Sequence, residues 1–310
     1  VGCSRFKDFY HPHKHFQNGL HLDPEVLFKG LQETPDLHFI LFCGNYGDPI
    51  FHPELHSIIQ RIRLEYPNLR VLMHTNAAAH SMNYWQKLAS LFSQNNSYVK
   101  FSIDGLKKGH ELFRRGTQWE KAIENAQSFI DAGGNAIWQM IEFDHNRHEA
   151  QACKDLAEEM GFKKFQLRRN NYPGLDQHIQ TAPNASSISN QGAEKSTSAE
   201  LVSWHQSHLA QSQTTRIDCK AKSRNNLYLD VHGHVWPCCW VGGLPYRPED
   251  SLREHFKQAF VAENTLDDLS LEKHPLSKIL SGPIFTAIDS GISNKSFSTC
   301  SRTCGIREIR

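Results

Sequence analysis

Leu37-His38-Phe39-Ile40-Leu41-Phe42-Cys43, running on into Gly44-Asn45-Tyr46-Gly47-Asp48-Pro49, is the stretch that decides the fold of this 310-residue chain. Its first part is a continuous apolar run, the pattern of a strand covered on both faces, as strands of parallel sheets are. The Gly-, Asn- and Asp-rich segment that follows is a turn. A helix is expected from about Pro53, because proline is pre-set for a first helical turn. Strand, turn and helix in that order make one βα unit.

The same unit recurs downstream. Leu69–His74 reads as a strand, followed by a helix around Met82–Phe92, and Tyr98–Ile103 is the next strand. Thr117, with Glu120 three residues on, reads as a capping box that opens a helix, which Gly133–Gly134 close. Ala136–Phe143 is a strand, His148–Met160 a helix ended by Gly161, and Lys164–Arg168 a fifth strand. An earlier helix, Pro24–Gln32, has Asp23 as its cap and Pro24 in its first turn. Five strands separated by helices imply parallel pairing through right-handed crossovers. With one more strand expected upstream of Cys3, the reading is α/β, a partial (β/α)6 TIM-like barrel with its chemistry at the C-terminal strand ends.

Composition changes from Thr181 to about Glu200 to a run rich in Ser, Asn, Gln and Thr, which reads as a polar connection. The expected division is a barrel over residues 1–180, a linker with a short helix over 181–215, and a small cysteine-rich α+β domain over 216–310. In that last part Asn226–Val231 and His234–Pro237 read as a β-hairpin turning at His232–Gly233 and delivering Cys238 and Cys239 at its exit.

The formal net charge of +1 offers no global attraction to nucleic acid or to anionic lipid. The Arg168–Asn171 segment is too short to make a nucleic-acid stripe. No run of about 18 apolar residues indicates a membrane span, and the first residues hold no apolar run of the kind a secretory signal has. The expectation is a cytoplasmic protein with neither a nucleic-acid nor a membrane partner. In that compartment the eight cysteines read as metal ligands more readily than as disulfides. Cys43 and Cys153 fall within elements and read as buried free thiols. His11, His13 and His15 form a run that reads as exposed loop.

The remaining cysteines are spaced as a cluster-binding pattern: Cys219-x13-Gly233-x4-Cys238, then Cys300-x3-Cys304. Four thiolates satisfy either an iron–sulfur cluster or a structural zinc. Cys239 can replace Cys238, since neighbouring residues of a strand point oppositely. Cys3 stands beside Arg5, a cation that favours the thiolate, and reads as a further ligand.

Taken together, these segments resemble the radical S-adenosylmethionine (SAM) enzymes over nearly the whole chain. Tyr46-Gly47-Asp48-Pro49 is similar to that family's GGEP-type turn, Thr75-Asn76 to its TNG segment, and Ser102-Ile103-Asp104-Gly105 to its SxDG strand end. His110 to Arg114 resembles the HDxxR stretch. The C-terminal cysteines resemble the auxiliary-cluster domains called SPASM or twitch, with four ligands, enough for one auxiliary [4Fe–4S] cluster. The family holds a [4Fe–4S] cluster with Cys-x3-Cys-x2-Cys, of which Cys3 would be the last cysteine and the other two would lie upstream of the chain. Gly2 departs from the aromatic residue common before that last cysteine.

The resemblance implies that the open iron chelates SAM and that one-electron reduction yields a 5′-deoxyadenosyl radical, which takes hydrogen from a substrate. It implies an electron donor such as flavodoxin or ferredoxin, and a peptide or protein as the substrate class. Tyr46, Gly47, Asp48 and Pro49 would face the SAM ammonium, and Ser102 and Asp104 the ribose. Arg114 would meet the SAM carboxylate through its planar fork, and Gln139 would be a further ligand contact. Asn76 reads as structural. The rival reading is a zinc-stabilised, non-catalytic binding module on a decayed barrel.

Overall fold

The computed structural model describes residues 20–44, 47–170, 216–246, 265–294 and 297–306. Cys3, the His11–His15 run, Tyr46 and the Thr181–Glu200 connection lie outside the described residues. The chain divides into two compact units, residues 1–11 with 36–189 and residues 12–35 with 190–310.

The first unit is built on a parallel sheet: β1 Phe39–Phe42, β2 Arg70–Thr75, β3 Tyr98–Ser102, β4 Ala136–Glu142 and β5 Lys164–Arg169. The strands are hydrogen-bonded in sequence order, every pair parallel. Helices α2 Leu55–Glu65, α3 Met82–Ala89, α4 Lys107–Phe113, α5 Trp119–Asp131 and α6 Ala150–Glu159 fall between them. This is the partial, TIM-like α/β barrel that the alternation of strand and helix predicts. One face of the sheet is sealed by aromatic packing. Phe101 of β3 meets Trp85 of α3 at 5.6 Å and Phe129 of α5 at 5.5 Å between ring centroids, and all three rings are fully buried.

Three local expectations are corrected. β1 is an edge strand of the described sheet and none of its residues is buried, with Leu41 36% exposed. A continuous apolar run identifies a strand, but coverage of its faces depends on neighbours. The helix expected from Pro53 begins at Leu55, and the proline that opens a turn of helix is Pro49, in a 3-10 segment Pro49–Phe51. The Thr117–Glu120 capping box does not form. The N-cap of α5 is Gln118, and Glu111 Oε1 accepts from Trp119 N at 3.1 Å. Thr117 is drawn away, donating to Arg114 O at 2.6 Å, while Glu120 pairs with Lys107.

The second unit takes in helix α1, Pro24–Gln32, whose cap is as expected: Asp23 Oδ1 accepts from Glu25 N at 2.9 Å. Helix α1, which the sequence division puts with the barrel, thus groups with this unit. Val26 of α1 shares its core with Trp236, Leu271, Ile279 and Ile288. A side chain at Gly30 would press on Leu271, and Lys29 Nζ donates to the carbonyls of Glu272 and His274. A short hairpin, β7 Tyr228–Leu229 with β8 Val235–Trp236, turns through Gly233 at φ +77°. Asp230 organises the turn. Its Oδ1 accepts from His232 N and His234 N, and its Oδ2 from Trp236 Nε1 and the Tyr246 hydroxyl. Burial alone raises this carboxyl's pKa, but His234, Tyr246 and Trp236 together hold it below its ordinary value.

Candidate active site

The C-terminal strand ends of the first unit carry most of the residues singled out in its sequence. After β1 the chain turns sharply at Gly44, where a side chain would run into the Gly47 carbonyl, and Gly47 itself faces open space. Asp48 ties this turn to the next strand end. Its Oδ2 accepts from Thr75 Oγ1 at 2.9 Å and Asn76 N at 2.8 Å, and its Oδ1 accepts from Ile50 N. Burial raises the Asp48 pKa, and these donors together with the charge of Arg114 oppose the rise. The side chain of Asp48 is therefore a tie between two loops, and Pro49 fixes the 3-10 turn after it.

The end of β3 is held by a denser network. Asp104 is fully buried; its Oδ1 accepts from Ile141 N at 2.6 Å and its Oδ2 from Arg114 Nε at 2.7 Å. Fully buried and so engaged, this carboxylate holds Arg114 in place. His110 Nδ1 accepts from Asp104 N at 3.1 Å. The ring proton therefore sits on Nε2, which faces Thr117 Oγ1 at 3.1 Å. Burial, with the Arg114 charge, pushes the His110 pKa down to about 3, so the imidazole is neutral.

Glu149 and Asn146 complete the frame. Glu149 Oε2 accepts from Leu106 N at 2.9 Å, in the space that side chains at Gly105 and Gly109 would fill, and Gly105 has φ +118°. Asn146 Nδ2 donates to the carbonyls of Asp104 and Ile141. Sequence reading missed both residues, since a lone Asn and Glu before a helix look like surface.

Uncommitted polar groups remain within this frame. Ser102 and Gln139 are register partners on β3 and β4 and so share a face. Gln139 Oε1 is buried with no hydrogen-bond partner, a state that calls for a ligand or water. Arg114 uses Nε on Asp104, leaving its two terminal nitrogens without a hydrogen bond to the described residues, and its side chain is 21% exposed. Ser102, Gln139 and Arg114 are thus gathered at one end of the sheet, with the Gly47 turn at the same end two strands away.

In the second unit the C-terminal cysteines lie on neighbouring elements. Ile217 of β6, Arg216–Ile217, pairs with Gly305 of β9, Gly305–Ile306, and Asp218 N donates to Cys304 O at 2.9 Å. Cys219 is thereby brought beside the helix Ser298–Cys304, on which Cys300 and Cys304 are one turn apart. Cys238 is the N-cap residue of the helical turn Cys239–Gly242, and its side chain makes no capping hydrogen bond. Burial raises its pKa to about 11, with Cys239 and Cys219 adding to the rise. Burial also raises the Cys300 thiol, and Cys238, Cys219 and Cys304 add to it. Among the described residues no group of three or more His, Cys, Asp or Glu is arranged to hold a metal ion.

No family model and no curated protein matches this chain. Solved structures do. The chain is similar to Streptococcus suis SuiB bound to S-adenosylmethionine, at 12% identity over 89% of this chain and 70% of that one, with TM-score 0.48. It is similar to SuiB bound to the precursor peptide SuiA at 10% identity, over 79% of this chain with TM-score 0.47, and spans only 59% of SuiB there. It is also similar to anSMEcpe with bound AdoMet and the Kp18Cys peptide, at 14% identity over 98% of this chain and 86% of that one, with TM-score 0.47.

Proposed function

We propose that this chain is a radical SAM enzyme whose SAM site lies at the C-terminal strand ends of the partial barrel. The observation that carries the reading is Gln139 Oε1, buried and unpaired beside Ser102, in the same rim as an Arg114 held by Asp104 with its terminal nitrogens uncommitted. A ligand with hydroxyl donors and a carboxylate answers both. The order of the GGEP-, TNG- and SxDG-like segments along the chain supports the same assignment.

When bound to its cluster, SAM supplies a 5′-deoxyadenosyl radical that takes hydrogen from the substrate. The protein's own part is positional. Arg114 meets the SAM carboxylate, anchored by the Asp104 carboxylate below it. Ser102 and Gln139 offer polar contacts from neighbouring strands, and the Gly47 turn lets backbone approach closely. Asp48 keeps that turn tied to the end of β2. Cys3 is assigned as a ligand of the SAM-binding cluster, with Cys219, Cys238, Cys300 and Cys304 holding one auxiliary [4Fe–4S] cluster. The soft thiolate donor set suits that assignment, and a bound cluster cation would offset the burial that raises Cys238 and Cys300. A peptide or protein is the substrate class the reading carries with it.

The test is reductive SAM cleavage by the protein as its gene encodes it, purified and reconstituted without oxygen. Formation of 5′-deoxyadenosine on adding dithionite is expected, together with acid-labile sulfide. A protein that contains zinc, no sulfide and no SAM-cleaving activity would instead be a metal-stabilised binding module.

A further inference from the structure

Below the rim just described, the open face of the sheet carries a cluster of cations that the SAM site does not use. Phe101 packs on the helices, so Lys100 and Ser102, its neighbours on β3, point to the opposite face. His74 is the register partner of Lys100 on β2, and Ile137 its partner on β4. Lys164 pairs with Ile137 and Arg168 with Ile141, which places both on that same face at β5. Along the five strands the registered positions of this face hold no Asp or Glu.

Lys100 is the exceptional member. It is 8% exposed as a residue and makes no hydrogen bond or ion pair with any described residue. Its ammonium nitrogen is not among the fully buried unpaired atoms, so it stays within reach of water, and no counter-charge among the described residues answers it. The neighbouring charges here make matters worse. Burial lowers the Lys100 pKa, and Arg168 and Lys164 lower it further. His74 is pushed down to about 4 by burial, with Lys100 and Arg168 adding to the effect. Every charge facing Lys100 from β4, β5 or β2 is therefore positive or a neutral imidazole.

We propose that Lys100, with His74 on the neighbouring strand β2 and Arg168 reaching in from β5, forms an oxyanion subsite on the inner face of the sheet that takes a carboxylate or phosphate of the substrate. Lys100 and its register partner His74 lie two residues deeper than the Ser102 level, about 6–7 Å of strand, while Arg168, in register with Ile141, stands toward the rim. That the oxyanion belongs to the substrate rests on the radical SAM reading; the existence of the subsite does not.

The experiment uses the whole chain with acetate and inorganic phosphate as probes, each against sodium chloride at equal ionic strength. The His74 imidazole is followed by NMR, and the urea midpoint of the chain is measured at neutral pH. An anion beside the imidazole favours its protonated form, so the His74 titration should move upward from about 4 with the probe and not with chloride. The urea midpoint should rise with probe concentration. Acetate acting alone identifies a carboxylate site, and phosphate acting more strongly identifies a phosphoryl site.

In Lys100→Met both responses should disappear, while the variant without any probe should unfold at a higher urea concentration than the parent, because a half-buried cation repelled by Arg168 and Lys164 is gone. No response to either probe, or an equal response in Lys100→Met, overturns the proposal. Neither measurement needs SAM or a cluster, so its failure leaves the SAM reading untouched, and loss of SAM cleavage leaves the subsite untouched.

Discussion

Arg114 Nε donates to Asp104 Oδ2 at 2.7 Å across a steep gradient of exposure, with the carboxylate side chain at 0% and the guanidinium side chain at 21%. The pair is oriented: its anion is fixed from behind by Ile141 N, and its cation reaches outward. Arg114→Ala should weaken SAM binding by about 1.5–3 kcal/mol, the range for a charge-assisted bond, while leaving the cluster spectrum intact. Asp104→Asn keeps the acceptor for Ile141 N but frees the arginine, so SAM binding should fall with Arg114 still present. Calorimetric titration of SAM into both variants checks this, and unchanged affinity in Arg114→Ala would return that residue to a solvated helix end.

His110 predicts a pH dependence with a definite sign. In the unfolded chain it takes up a proton near 6.5, but in the folded unit only near 3. Between those values the unfolded state binds more protons, so stability is fully present above about 6.5 and is lost as pH falls toward 3. One proton corresponds to about 1.4 kcal/mol per pH unit. His74, lowered to about 4, acts in the same direction. Urea unfolding between pH 7 and 5 should therefore show falling stability, and His110→Gln should flatten the slope by about one proton. A slope identical in the two proteins would mean that His110 is not held neutral.

The start of α5 offers a test of local capping. Glu111 caps Trp119 N, so Glu111→Ala should destabilise the first unit by about 0.5–2 kcal/mol. Glu120→Ala, which breaks only an exposed pair with Lys107, should leave the unfolding midpoint unchanged. The reverse ranking would restore the capping box that the sequence suggests.

That reversal shows where sequence reading stops. Thr117 and Glu120 satisfy a local pattern, but Thr117 has a stronger call from the Arg114 carbonyl and the His110 ring, partners brought close by the network around Asp104. The βα alternation was legible because it is periodic: β3, β4 and β5 lie within a residue of their expected ends. Asp23 and Pro24 likewise declared the start of α1, because a cap is a local device. The unit to which α1 belongs was not legible, since it depends on Val26 and Gly30 meeting side chains more than 200 positions away. Among candidate site residues, Ser102 and Arg114 were singled out through the SxDG- and HDxxR-like segments, and Gln139 as a residue of the fourth strand. Lys100 was not, although a lysine within the apolar run Tyr98–Ser102 is a signal in itself, because a charge at a covered strand position needs a reason.

The last prediction separates Cys238 from Cys239. Cys238, with Cys219 and Cys304, acts on the Cys300 thiol, and the Trp240 and Val241 N–H groups at the start of the turn oppose the burial that raises Cys238. A thiolate at a helical turn's N-terminus is favoured by those donors, and a cluster cation would complete the compensation for its burial. In the whole chain reconstituted without oxygen, Cys238→Ser and Cys304→Ser should each lower iron and sulfide by the content of one cluster and weaken visible absorption. Cys239→Ser should leave both at the parent value. Loss of iron in Cys239→Ser with retention in Cys238→Ser would reverse the assignment. One zinc per chain, with no sulfide, would remove the auxiliary cluster altogether while leaving the SAM site at Ser102, Gln139 and Arg114 to stand on its own residues.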